Sequence, residues 1–250
     1  MALSTKQCTP VNGTKPRRPQ SQIAVSRRTT LGGAALLGGM HIVDSASAIS
    51  NGPSPRYWDP TDLVIPGMQK FRDLDLDGAA SDFDEAWLRA PSVRPFLWQR
   101  GIALYFQSRF PEAADQFRSD VAVNPRNTEE AIWAFISEAR MDGPSQARAN
   151  FVQVPQDPRP VIQAAYESFK NGGGPEKILA SSRRDGDQSD FYARLYAGLY
   201  FESMNVGLFR DNTAAKKELL AACATPYAQQ SDDYYAAVAR LHVNVRGWSA

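Results

Sequence analysis

The chain has 250 residues, 43% of them hydrophobic and 22% charged, enough for one or two domains with a real core. Its 28 basic and 27 acidic side chains almost cancel, yet no Asp or Glu precedes Asp44, while Lys6, Lys15, Arg17, Arg18, Arg27 and Arg28 all do. Beyond residue 48 the chain carries 22 basic and 26 acidic side chains with no basic run, so a nucleic-acid partner is not expected.

Residues 1–20 are rich in Ser, Thr, Pro and basic side chains, a composition that cannot build a packed core. Ser26-Arg27-Arg28-Thr29-Thr30-Leu31 then carries a twin arginine, and Leu31 to Val43 is an apolar run. Confined to positions 31–43, that run is too short for a stable bilayer anchor. Its Gly32-Gly33 and Gly38-Gly39 pairs also argue against a helix. Ala46-Ser47-Ala48 supplies the small residues that signal peptidases accept. This order resembles the bipartite presequence of proteins sent to the thylakoid lumen by the twin-arginine route, with Thr30 a mild departure. The resemblance implies a cleaved presequence over residues 1–48 and a lumenal mature protein; bacterial periplasmic export is the alternative.

Residues 49–66 hold Pro53, Pro55, Pro60, Pro66 and Gly52 and are expected to be an extended linker. From Gly67 on, helical signals dominate. Gly67, Ala79, Phe83 and Pro91 recur at one constant offset as Gly101, Ala113, Phe117 and Pro125, a period of 34 in every case. A fixed period of this length marks a helix-turn-helix array. In the second unit the spacing predicts helices over 95–106 and 111–123, with Asn124-Pro125 closing the pair. Small residues at 101 and 113 let the two helices approach, and Phe117, four residues after Ala113, fills the space between them.

Here the chain resembles the tetratricopeptide repeat family. Gly101, Ala113, Phe117 and Pro125 take that family's small, aromatic and terminal-proline positions, and Gly67, Ala79, Phe83, Ala86 and Pro91 do the same one unit earlier. The resemblance implies an all-α superhelix of about four to five helix pairs over residues 67–250. A third unit keeps register through Ala147 and Phe151, with Phe135 replacing the first-helix Gly. Residues 160–170 read as a helix stopped by Gly172-Gly173-Gly174-Pro175. Ser189 to Asn205 follows with Gly198 central, and Ala214, Ala221 and Pro226 fit a second helix after a four-residue insertion. Asp232 to Val245 is expected to cover the last pair, as such arrays require. More loosely, the pattern is similar to the bacterial new-lipoprotein-I group of repeat adaptors.

Asp73, Asp75, Asp77 and Gly78 imitate the start of a calcium loop, with Asp84 at its twelfth position. The repeat register competes, because it makes 79–90 one helix with Asp77 as its N-cap. A calcium-binding module over 73–84 therefore stands as an alternative, and no metal or cofactor is expected. Enzymatic chemistry finds little footing. The mature chain has one histidine, His242, and one thiol, Cys223, with no phosphate-binding glycine loop. A hydrolase with an unrecognised site is the remaining alternative to a non-catalytic scaffold.

In the tetratricopeptide family the concave surface comes from the first helix of each pair. The resemblance thus puts Met68, Phe71 and Arg72 there, then Trp98, Ile102 and Tyr105, then Glu129, Ile132, Ile136 and Arg140. Aromatics beside arginine suit an apolar or acidic peptide, so Phe71, Arg72, Trp98, Ile102, Tyr105 and Arg140 are the expected protein-binding residues. Trp98 and Trp133 fit packing between neighbouring pairs equally well. The two resemblances together imply a non-catalytic scaffold or adaptor of the thylakoid lumen, an assembly or maintenance factor of photosynthetic complexes, with a protein or peptide partner.

Overall fold

The computed structural model describes residues 59–182, 186–205 and 211–249. The expected presequence, 1–48, and the linker through residue 58 lie outside them. The described residues form an all-α protein of thirteen helices, one of them a 3-10 segment, in which consecutive helices pack against each other.

The first pair is α1 (Thr61–Arg72) and α2 (Leu76–Arg89). Helix therefore begins inside the segment read as an extended linker, and Pro66 sits within α1. Pro66 forfeits one backbone bond. The helix survives because Asp59 accepts from the Thr61 amide at 2.9 Å and because Gly67 and Phe71 bury against its neighbours. The cap of α2 also differs from expectation. Asp75, not Asp77, accepts from the Gly78 amide at 2.9 Å. From there α2 runs unbroken to Arg89, so residues 73–84 do not form a twelve-residue loop.

A 3-10 segment, Pro91–Phe96, leads into α3 (Trp98–Phe106), so the helix expected from residue 95 starts three residues later. Pro91 and Pro95 withhold the amides an α-helix would need there. The second helix of this pair is α4 (Phe110–Val123). The repeat register is visible in three dimensions. A Cβ on Gly67 would lie 2.8 Å from Phe83 Cε1, and one on Gly101 would lie 2.7 Å from Phe117 Cε1. The turns agree as well: Leu74 and Ser108, one period apart, are the two non-glycine residues with positive φ among the described residues, at 67° and 61°.

In the third unit α5 (Thr128–Asp142) is long, but α6 (Pro144–Ala149) is six residues. Phe135 fills the place that Gly67 and Gly101 leave open, and its ring meets Phe151 and Phe169 at 5.6 and 5.5 Å. The short α6 still packs on α5 through buried Ala147. Helix α7 (Pro160–Asn171) ends on Gly172 in the left-handed conformation, as expected, and the short α8 (Glu176–Ser181) follows.

The last pair is α9 (Asp187–Met204) and α10 (Thr213–Ala224). Gly198 is again a close approach, 2.6 Å from Leu219 Cγ to an added Cβ. Leu219 plays the part of Phe117, and the buried alanines beside it are Ala215 and Ala222 rather than Ala214 and Ala221. The insertion is thus one residue longer than the spacing suggested. After α11 (Pro226–Gln230), Asp233 caps α12 (Tyr234–Val245) by accepting from the Tyr235 amide at 2.8 Å.

Candidate binding face

Helix α12 does more than cover the last pair. It packs on α10 and α11, and also on α1 and α3 near the start of the fold. Tyr234, Tyr235, Ala236, Ala237, Val238 and Ala239 are all buried, so the helix is apolar nearly all round at its start. A helix of that kind needs neighbours on every side.

Those neighbours include the residues expected to bind a partner. Phe71 is fully buried and stacks on Tyr234 with ring centroids 4.7 Å apart. The Arg72 guanidinium lies 5.5 Å from the Tyr234 ring centre, and its Nη2 donates to the Asp232 carbonyl at 3.2 Å. Trp98 meets Tyr234 edge-on at 5.1 Å and lies nearly parallel to Tyr235 at 5.7 Å. Ile102 is fully buried. Tyr105 packs edge-on against Phe106, Phe110 and Trp133. Arg140 lies over the Phe110 ring and 3.6 Å from Glu202 Oε1. Aromatic residues of the shared first-helix face therefore meet the chain's own C-terminal helix. Trp133 takes the packing role, stacked on Phe117 at 6.0 Å and fully buried.

A charged cluster completes this face, built on a residue the sequence did not single out. Glu202, on α9, is 5% exposed and is met by two arginines and a histidine from two other parts of the chain. Arg246 Nε donates to its Oε1 at 2.6 Å, Arg140 approaches the same oxygen, and His242 Nε2 lies 2.7 Å from Oε2. The His242 contact is close but off the hydrogen-bond axis. Burial pushes the Glu202 carboxyl up, but His242 and Arg246 outweigh it and hold it at about 2. Tyr105 is pushed up to about 12, first by burial and then by the Glu202 charge. The Glu202 carboxylate therefore stays ionised beside Arg246 and Arg140, while Tyr105 keeps its phenol proton.

Farther along, Glu129 is fully buried and accepts from Tyr196 Oη at 3.0 Å and from Arg159 Nη1 at 2.9 Å. Arg159 also pairs with Asp157, which ties the 152–159 segment to α5. Ile132 and Ile136 are buried in the core. Among the described residues, no group of three or more His, Cys, Asp or Glu side chains is placed to hold a metal ion, and no helix is long and apolar enough to cross a membrane.

No protein-family model matches the chain, and no curated protein matches it. What this site does must be read from its own geometry. Glu202 escaped the sequence because its helix is buried on several sides and gives no amphipathic stripe to mark a special position. The Tyr234-Tyr235 pair and the apolar run behind it were the available signal. A terminal helix with no polar face at its start announces a second contact surface.

Proposed function

We propose that this chain is a non-catalytic, protein-binding scaffold of tetratricopeptide type, an α-α superhelix whose first helices form a concave recognition face. The observation that carries the reading is the pair of glycine–phenylalanine keys one repeat apart, Gly67 on Phe83 and Gly101 on Phe117, with matching left-handed turns at Leu74 and Ser108. Repeated helix pairs of this kind create extended surfaces for protein recognition. The twin-arginine presequence pattern supports a place in the thylakoid lumen, where assembly or maintenance of photosynthetic complexes is the fitting role.

The test is site-specific photocrosslinking in lumenal extract. A photoreactive residue at Arg72, half-buried at the rim of the face, should give a discrete adduct with a partner protein. The same group at Lys217, whose side chain is 79% exposed on α10, should not. Equal labelling from both positions, or none from Arg72, would sink the recognition-face assignment. Sequencing the mature N-terminus checks the address, since a start far from Ile49 removes the lumenal argument.

A further inference from the structure

The connection between α6 and α7 is an extended strap, held firmly on its inner side and open on its outer one. Residues 152–158 form neither helix nor strand, and among the described residues none of them shares a backbone-to-backbone hydrogen bond. Side chains of α7 hold the strap instead. Tyr166 Oη accepts from the Val154 amide at 3.1 Å and donates to the Val152 carbonyl at 3.4 Å. Gln163 Oε1 accepts from the Asp157 amide at 2.8 Å. The Arg159 guanidinium then pins the end of the strap to Asp157 and to Glu129 of α5.

The burial pattern identifies its conformation. Phe151, Val154 and Asp157 turn inward, three residues apart, whereas Gln153, Pro155, Gln156 and Pro158 are exposed. A strand alternates with period two and would put Pro155 and Asp157 on one face. Three residues per turn without internal hydrogen bonds describes a polyproline II helix. Pro155 and Pro158 then stand one turn apart on an outward edge, the P-x-x-P spacing of ligands that dock into aromatic-lined grooves.

Beside the strap runs a groove of about 520 Å³, bounded by Pro158 and Pro160 on one side and by Ala164 and Glu167 of α7 on the other. Glu167 accepts from Gln163 Nε2 and Asn171 Nδ2 at 2.9 and 2.6 Å, and it is in no ion pair among the described residues. Arg159 is already matched by two carboxylates, and Lys170 lies over the Tyr166 ring. The charge left over at the groove is negative.

We propose that residues 152–160 are a second docking site, a pre-ordered polyproline II ligand for a partner protein that offers an aromatic-lined groove with a basic rim. The partner's rings pack on Pro155 and Pro158, one large side chain enters the groove beside them, and a lysine or arginine meets Glu167. Pre-ordering strengthens the contact, because a free proline-rich peptide must lose backbone freedom on docking while the strap has already lost it on folding. Here the chain is the ligand, so the site is independent of the first-helix face.

Binding of the full chain to a panel of WW and SH3 modules, the small folds that read such ligands, tests this. Modules with Lys or Arg beside the aromatic groove should bind, and more tightly than modules with an acidic rim. Pro155→Ala/Pro158→Ala should weaken that binding by at least about 10-fold, the loss expected of an anchoring contact. Ala164→Arg fills the groove from α7 and gives Glu167 a cation, so it should weaken binding as much with the strap's own sequence intact. Far-ultraviolet circular dichroism and the urea midpoint show which variant is folded, and either one suffices. A synthetic peptide of residues 150–161 should bind at least about 10-fold more weakly than the full chain. The proposal is overturned if no module binds, if a folded variant leaves binding unchanged, or if acidic rims are preferred. Equal affinity of peptide and chain overturns it too. None of these results touches the scaffold reading, which stands or falls on the Arg72 crosslink.

Discussion

At the residue scale, Glu202 makes a prediction through its ionisation. Its carboxyl is held at about 2 in the folded chain against 4.5 ordinarily. A depressed carboxyl stabilises the fold above the unfolded value and loses that contribution as pH falls toward the folded one. The window is therefore pH 4.5 down to about 2. The full contribution is on the order of 3 kcal/mol. Urea unfolding of the unaltered chain and of Glu202→Gln, compared at pH 6 and pH 3, isolates it, since all other carboxylates are common to both. The difference between the two chains should be largest at pH 6 and should shrink by more than half at pH 3. A constant difference would mean that the Gln variant loses shape or packing rather than charge.

At the element scale, the close approaches at the helix pairs predict opposite outcomes from local and tertiary physics. Gly101→Ala gains roughly 1 kcal/mol of helix propensity in isolation. Its new methyl would sit 2.7 Å from the Phe117 ring, which is fully buried and backed by Trp133. Overpacking of this kind costs about 1–3 kcal/mol, so the net effect should be a loss of stability of about 1 kcal/mol. Phe117→Leu in the same chain should relieve the clash, and a double-mutant cycle of urea midpoints measures that coupling. Additive effects would show that the ring had space to withdraw.

The same pairs show why part of the fold was legible and part was not. Gly, Ala, Phe and Pro at fixed spacing wrote the first two units plainly. The left-handed turns at Leu74 and Ser108 were hidden, because neither residue type marks positive φ. In the last pair, alanines stand side by side at 214–215 and 221–222, so a one-residue slip left the composition pattern intact. Only the meeting of Gly198 with Leu219 fixes the register. Sequence register placed Phe71 and Arg72 on the first helix of one pair and Trp98 and Tyr105 on that of the next. It had no means of seeing that α12 returns to them, since the contact joins Phe71 and Trp98 to Tyr234 across most of the described chain.

At the scale of the whole molecule, α12 changes how the described helices share stability. In an open array each unit leans only on its neighbours, and unfolding can proceed from one end. Here α12 touches α1 and α3 as well as α10, which joins the first pairs to the last ones through a second route besides α5. The unaltered chain should therefore unfold in one transition. Tyr235→Ala removes a buried ring that stacks on Trp98 and neighbours Tyr192 and Tyr196, a truncation of the class that costs about 3–5 kcal/mol. With that contact gone, the route through α12 fails while α5 still connects its neighbours. Trp98 fluorescence, read in a background with the other four tryptophans replaced by Phe, and far-ultraviolet circular dichroism should then separate into two transitions, the earlier one reporting residues 61–123. If both probes continue to coincide at a lower midpoint, α12 is one more core helix, and the coupling between the first and last pairs runs through α5 alone.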